Sequence, residues 1–209
     1  MTACLVIGGG GHGAVVVDAL QRAGVAERIA VLDADPRRIG SDLLGAPVLG
    51  DDSFLAEALS QGFTHFIVGV GSTRDNRARA TIYDRARGSG LTPLSVIHPA
   101  AAVAPSATIG PGCAIMAGAV INARASLGDN VIINTRAVVE HDTRVGNHVH
   151  VAPVACLLAD VNVDSGAYIG AGATVRQSIW VGTGALVGAG SVVVRDLSPG
   201  ARVMGVPAR

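Results

Sequence analysis

The stretch "VVEHDTRVGNHVHVAP", residues 138–153, gathers Glu140, His141, Asp142, His148 and His150 in a 209-residue chain of which only 15% is charged. Imidazoles titrate near neutrality and ligate metals, so the cluster offers three readings. His141, His148 and His150 are a potential set of nitrogen ligands for zinc. One histidine beside an acid is a proton-transfer pair. A solvated surface patch is the third reading, and the sparse charge of the chain weighs against it. The proton-transfer reading is preferred. A second stretch with chemistry in it is "GGGGHG", residues 8–13. Gly8, Gly10 and Gly13 have the G-x-G-x-x-G spacing, and Asp33 follows Gly13 by twenty residues. Bare glycines let a phosphate approach the backbone, and a helix opening there supplies N–H donors. His12 puts an imidazole inside that loop.

Composition removes several alternatives. The sixteen basic residues are all arginine and balance sixteen acids, so a polyanion partner such as nucleic acid is not expected. Without lysine there is no Schiff-base or P-loop chemistry. Cys4, Cys113 and Cys156 are odd in number and widely spaced, which reads as buried small hydrophobes in a reducing compartment. The apolar N-terminal run is broken by glycine too early for a signal peptide or a membrane span, so a cytoplasmic protein is expected.

These residues need elements to position them. "ACLVI" reads as a strand, "AVVVDALQRAG" as a helix ended by Gly24, and "RIAVLDAD" as a second strand, together a βαβ unit. A helix at about 51–61, the strand "THFIVGVG" and the helix "RDNRARATIYDRARG" extend it into a small parallel, Rossmann-like α/β domain over residues 1–95. That is half a dinucleotide fold, which argues against NAD. From Val103 every sixth residue to Val193 is aliphatic. Small or β-branched residues often stand four places on, as at Ala119, Ala137 and Ala155, and glycine often follows directly, as at Gly128, Gly146 and Gly170. A helix with 3.6 residues per turn would scatter a period of six, whereas a solenoid of short strands stacks it into one core. Residues 96–209 are therefore read as a hexapeptide-repeat β-helix.

This repeat resembles the hexapeptide-repeat acyltransferases, which implies a left-handed parallel β-helix and a homotrimer with active sites between subunits. The combination of "GGGGHG", "NTRAVVEHD", "HVHV" and "MGVPAR" resembles the bacterial nucleotide-sugar N-acetyltransferases of the sialic-acid O-acetyltransferase type over nearly the whole chain. The resemblance implies transfer of acetyl from acetyl-CoA to the C4 amine of a nucleotide-linked 4-amino-4,6-dideoxy sugar, GDP-perosamine before others, without a metal. O-acetylation of a sialic acid-type sugar is the nearest alternative. A trimeric β-helix zinc hydratase is a more distant one, because the paired-histidine spacing of such enzymes is not reproduced.

The resemblance implies roles by position. His141 would be the general base and Asp142 its orienting partner, with Glu140 a substitute for Asp142. Asn134 would help hold the sugar, and His150 would contact acetyl-CoA near the thioester. Ala159, Gly170, Ala171 and Gly188 would line the path of the pantetheine arm. Gly10, Gly11, His12 and Gly13 would meet phosphate or sugar, Asp33, Asp35 and Arg37 the base and ribose, and Gly71 and Ser72 the same sheet edge.

Overall fold

The computed structural model describes residues 2–72 and 75–209, which form two compact units. The first takes the chain up to Gly71 together with Arg79–Pro99. The second takes Ala100–Arg209 together with the segment from Ser72 to Ala78.

In the first unit β1 (Ala3–Ile7) is buried along its whole length, as an apolar run at the centre of a sheet must be. It pairs in parallel with β2 (Arg28–Leu32) and with β5 (His65–Val68), which follows the hairpin of β3 (Asp42–Leu43) and β4 (Ala46–Gly50). With β6 (Thr92–Pro93) at the far edge, the order is β3-β4-β2-β1-β5-β6. The sheet is not wholly parallel as expected, because β3 runs antiparallel to β4. Leu44 and Gly45 both take positive φ, the geometry that closes a two-residue hairpin, and the Asp42 carboxylate accepts from the Gly45 N–H at 2.7 Å.

Helix α1 (Gly11–Ala23) begins three residues before the expected start, so the end of the glycine loop is its first turn. Val16, Val17 and Leu20 face the sheet at helical spacing, and Gly24 ends it at φ 63 by donating to the Leu20 carbonyl. The helix expected at 51–61 is instead a 3-10 turn, Asp52–Ala56, with further turns after it. Asp51 caps this turn through the Ser53 N–H; the turn buries Leu55, and Ala58 is buried in the turns that follow it. Helix α2 spans Arg77–Gly88, of which Arg79 onward belongs to this unit.

The second unit is a three-sided parallel β-helix. Each side is a two-residue strand that pairs with the strand eighteen residues on, as Ile115 with Ile133, Ile133 with Val151, and Val151 with Ile169. The aliphatic series fills the interior, with Ile121, Ile133, Val139, Val151, Leu157, Ile169, Val175 and Val187 all at most 1% exposed. The companion series is more continuous than the small residues alone suggested. Cys113, Thr143, Val149, Val161, Ile179 and Ser191 occupy the same register and are buried as well. Cys4 and Cys113 are buried, but Cys156 lies on an outer wall and is half-buried, contrary to its reading as core.

Two rules govern the corners. The backbone is left-handed at every sixth residue from Gly112 to Gly190, and this row includes Arg124, Asn130, Arg136, Asp142, His148, Val154, Asp160 and Ser178. Glycines that directly follow an interior aliphatic serve coil stacking instead: a Cβ on Gly146 would lie 2.7 Å from the Ser165 nitrogen one coil above.

Candidate active site

His141 and Asp142 are the two central residues of one corner, between the faces carrying Val138–Val139 and Arg144–Val145. The Asp142 N–H donates to the Ala123 carbonyl one coil below at 3.1 Å, and the His141 carbonyl accepts from the Asp160 N–H one coil above at 3.1 Å. With its backbone pinned from both sides, this corner presents the imidazole half exposed. His141 Nδ1 lies 2.7 Å from Asp142 Oδ2. A carboxylate only accepts, so Nδ1 is the donor, and in the neutral ring Nε2 is the nitrogen with the lone pair. Glu140 has a different job, accepting the backbone N–H of His141 at 3.2 Å.

Arg124, one coil below Asp142, grips the same carboxylate with Nε on Oδ1 at 2.6 Å and Nη2 on Oδ2 at 2.7 Å. The Arg124 guanidinium and then the His141 ring hold the Asp142 carboxyl far below the usual carboxylate range. The corner is thus a line of three groups, base, carboxylate and guanidinium, in one column of the solenoid.

His150 is in a different setting. It lies on the face of Ile132–Ile133 and is 5% exposed. Asn134 donates its amide to His150 Nε2 at 3.1 Å, which leaves Nδ1 to donate to the Ser72 hydroxyl at 3.1 Å. Ser72 donates in turn to the Asn76 side-chain oxygen, and the Asn76 amide ends the chain on the carbonyls of Gly166 and Ala167. Tyr168 meets the imidazole edge to face. Asn134, Ser72 and His150, expected on two different ligands, are therefore one hydrogen-bonded group. Asn76 is the member that sequence reasoning missed.

The histidine cluster is split by the coil. His148 stands at another corner and pairs with the Asn130 amide at 3.0 Å, while His141 and His150 have the partners just given. Among the described residues no three of His, Cys, Asp and Glu are arranged to hold a metal ion. The sequence placed the three side by side, but a period of six sends them to separate walls and corners.

Ala159 sits directly above His141, and Ala171 belongs to the corner on the other side of the same face. Gly170 and Gly188 stack one coil apart. A Cβ on Gly170 would meet the Ala189 nitrogen at 2.6 Å, and one on Gly188 would meet the Met204 Cβ at 3.0 Å. Coil packing by itself therefore calls for glycine at 170.

In the first unit the glycine loop is held by Asp33, whose carboxylate accepts the Gly9 N–H at 2.7 Å and the Asp35 N–H at 2.8 Å. Arg38, which sequence reasoning passed over beside Arg37, donates to the Gly9 carbonyl and lies 3.9 Å from Asp33. Asp35 and Arg37 pair with one another at 2.8 Å. Gly8 and Gly13 are fixed by packing: a Cβ on Gly13 would fall 2.0 Å from the Gly8 carbonyl oxygen. Gly10 and Gly11 have open space before them, at the start of α1, where no side chain caps the helix. Gly71 abuts His12. Burial and, secondarily, the charge of Arg79 push the His12 imidazole down to about 4, so it is neutral at physiological pH.

Comparison with known proteins covers both units. Residues 4–86 match the PglD N-terminal domain family. The chain is 42% identical to PerB from Caulobacter crescentus, whose structure contains CoA and GDP-perosamine, with a TM-score of 0.92 over 100% of this chain and 97% of that one. The chain belongs to the nucleotide-sugar N-acetyltransferases. The H141N mutant of the perosamine N-acetyltransferase from the same organism matches at 41% identity and a TM-score of 0.92, covering 100% of this chain and 96% of that one. The acetyltransferase domain of PglB from Neisseria gonorrhoeae FA1090 matches at 38% identity and a TM-score of 0.92, covering 100% and 99%. No protein in the curated set matches the chain. The transferase accordingly has an α/β unit, with a mixed rather than parallel sheet, and a left-handed parallel β-helix. No described helix of it is long and apolar enough to cross a membrane.

Proposed function

We propose that this transferase moves the acetyl group of acetyl-CoA to the C4 amine of a nucleotide-linked 4-amino-4,6-dideoxy sugar, GDP-perosamine before others, with His141 as general base and Asp142 as its orienting partner. The observation that carries the reading is the 2.7 Å contact of His141 Nδ1 with Asp142 Oδ2, in a chain 42% identical end to end to a protein seen with CoA and GDP-perosamine.

The chemistry fits the groups available. The sugar amine must reach the thioester without its extra proton. As nitrogen attacks the carbonyl carbon, the N–C bond forms and its proton passes to His141 Nε2. When the tetrahedral adduct collapses, the C–S bond breaks and the same proton serves the departing thiolate. Proton transfer of this kind contributes typically about 10²–10⁴ in rate. Holding amine and thioester together supplies the rest without a covalent enzyme intermediate.

Gly10 and Gly11 suit a diphosphate, because the open space before the uncapped start of α1 leaves N–H groups to receive it. His12, Gly13 and Gly71 complete the phosphate and sugar subsite on this reading, and Asp33, Asp35 and Arg37 serve base and ribose once the Asp35–Arg37 pair opens. Asn134 and Ser72 serve the sugar, and His150, Ala159, Gly170, Ala171 and Gly188 the coenzyme.

The homotrimer belongs to the same proposal, and one face of the β-helix supports it. Its outward residues Val120, Val138, Cys156, Thr174 and Val192 form a ladder half-buried on a single chain, whereas the next face shows Ser126, Arg144, Asn162 and Trp180. A second copy seated on the apolar ladder lies alongside the His141 corner, which makes the active site a cleft between subunits. The free thiols suit a reducing cytoplasm.

The test is thiol release from acetyl-CoA with a panel of UDP- and GDP-linked amino sugars and a sialic acid. Turnover is expected with a nucleotide-linked 4-amino sugar, highest with GDP-perosamine. Turnover only with the hydroxyl acceptor, or with none, contradicts the proposal.

A further inference from the structure

We infer that Arg124 is a positioning residue of acetyl transfer: it locks the Asp142 carboxylate in the orientation that holds the His141 proton on Nδ1 and turns Nε2 outward. The inference rests on the reading of His141 as the general base.

Arg124 and Asp142 are eighteen residues apart in one corner column, so the stacking of coils sets their separation. The guanidinium meets the carboxylate through two nitrogens on two oxygens, a fork geometry that fixes the carboxylate plane as a lysine ammonium would not. Oδ2, shared between Arg124 Nη2 and His141 Nδ1, cannot turn away from the ring without breaking the fork.

The neighbouring acids are otherwise employed. Asp160, one coil above, takes the Ser178 hydroxyl at 3.1 Å, and Glu140 takes the His141 backbone N–H. The backbone gives no reason for arginine here. Residue 124 has φ 61, a conformation for which the preceding corners use Gly112 and Gly118. The side chain is largely exposed, so it fills no core.

The charges also suit turnover. Arginine, carboxylate and neutral imidazole sum to zero, and the protonated imidazole makes the group positive. Arg124 therefore tempers the hold of Asp142 on the imidazolium, which must give its proton to the thiolate.

The experiment is a kinetic cycle with Arg124→Gly, which a left-handed corner accepts, Arg124→Lys, Asp142→Asn and the Gly/Asn double variant. Arg124→Gly is expected to lower kcat about tenfold, a part of the about 10²–10⁴ that the base itself contributes, while both KM values stay within about twofold. Arg124→Lys should recover part of the loss, and in the Asp142→Asn background the Arg124 change should cost less than about twofold. Ring nitrogen NMR of ligand-free, [15N]histidine-labelled protein, which needs no turnover, should show His141 protonated on Nδ1 in the unmodified chain and a mixture of tautomers in Arg124→Gly. An unchanged kcat, an equal loss in both backgrounds, or an unaltered tautomer overturns the inference. If His141→Ala keeps full turnover while Arg124→Gly still mixes the tautomers, the general-base reading fails and the lock itself stands.

Discussion

The Asp142 side chain accepts hydrogen bonds from a neighbour in sequence and from a neighbour one coil away. Only the first was legible from "EHD". Its partner Arg124 lies eighteen residues back, and nothing in the local spacing joins them until the coil period is known. The same holds for the group around His150, where Ser72 and Asn134 were singled out separately and Asn76 not at all. His12 offers a test at this scale. Its pKa of about 4 in the fold lies below the ordinary 6.5, so between these values the unfolded chain takes up a proton that the folded one refuses. His12 thus contributes its full share of stability above pH 6.5 and loses it as the pH falls toward 4. Thermal unfolding of the chain and of His12→Asn at pH 7 and pH 4.5 should show the smaller drop in Tm for the variant. An equal drop in both would contradict the placement of His12.

Among the elements, the β-helix was almost fully readable, because one aliphatic every six residues has no helical solution. The α/β unit was less so. Leu44 and Gly45 form a hairpin that no apolar alternation announced, and 51–61 has a helical pattern although a 3-10 turn suffices to bury Leu55 and the turns after it bury Ala58. The corners also hid a distinction between two kinds of glycine. Gly172 takes a left-handed turn with open space around it, whereas Gly146 makes room for the coil above. Gly146→Ala should therefore cost about 1–3 kcal/mol, as inserted core methyls do. Val154 is the converse, a β-branched residue at φ 61 with 61% of its surface exposed. Relief of the left-handed penalty, about 1–2 kcal/mol per residue, should let Val154→Gly raise Tm even against the entropy of glycine. Thermal melts of the two variants check both expectations.

For the whole molecule the decisive feature is the ladder Val120, Val138, Cys156, Thr174 and Val192, flanked on one side by the His141 corner and on the other by the corner of Ala171. In the proposed trimer this apolar outer wall is the contact surface, and the alternation within each hexad sets it behind the stronger interior signal. Val138→Arg puts a charge in the middle of the ladder. Light scattering should find the unmodified chain as a trimer and the variant dissociated, with thiol release lost in proportion.

The central claim is that the imidazole at residue 141 takes the amine proton during acetyl transfer. The most direct measurement is steady-state thiol release by the unmodified chain and by His141→Ala, each saturated with acetyl-CoA and the preferred amino sugar. The account predicts a loss in kcat of at least about a hundredfold with both KM values little changed. A His141→Ala enzyme turning over at the rate of the unmodified chain would contradict it.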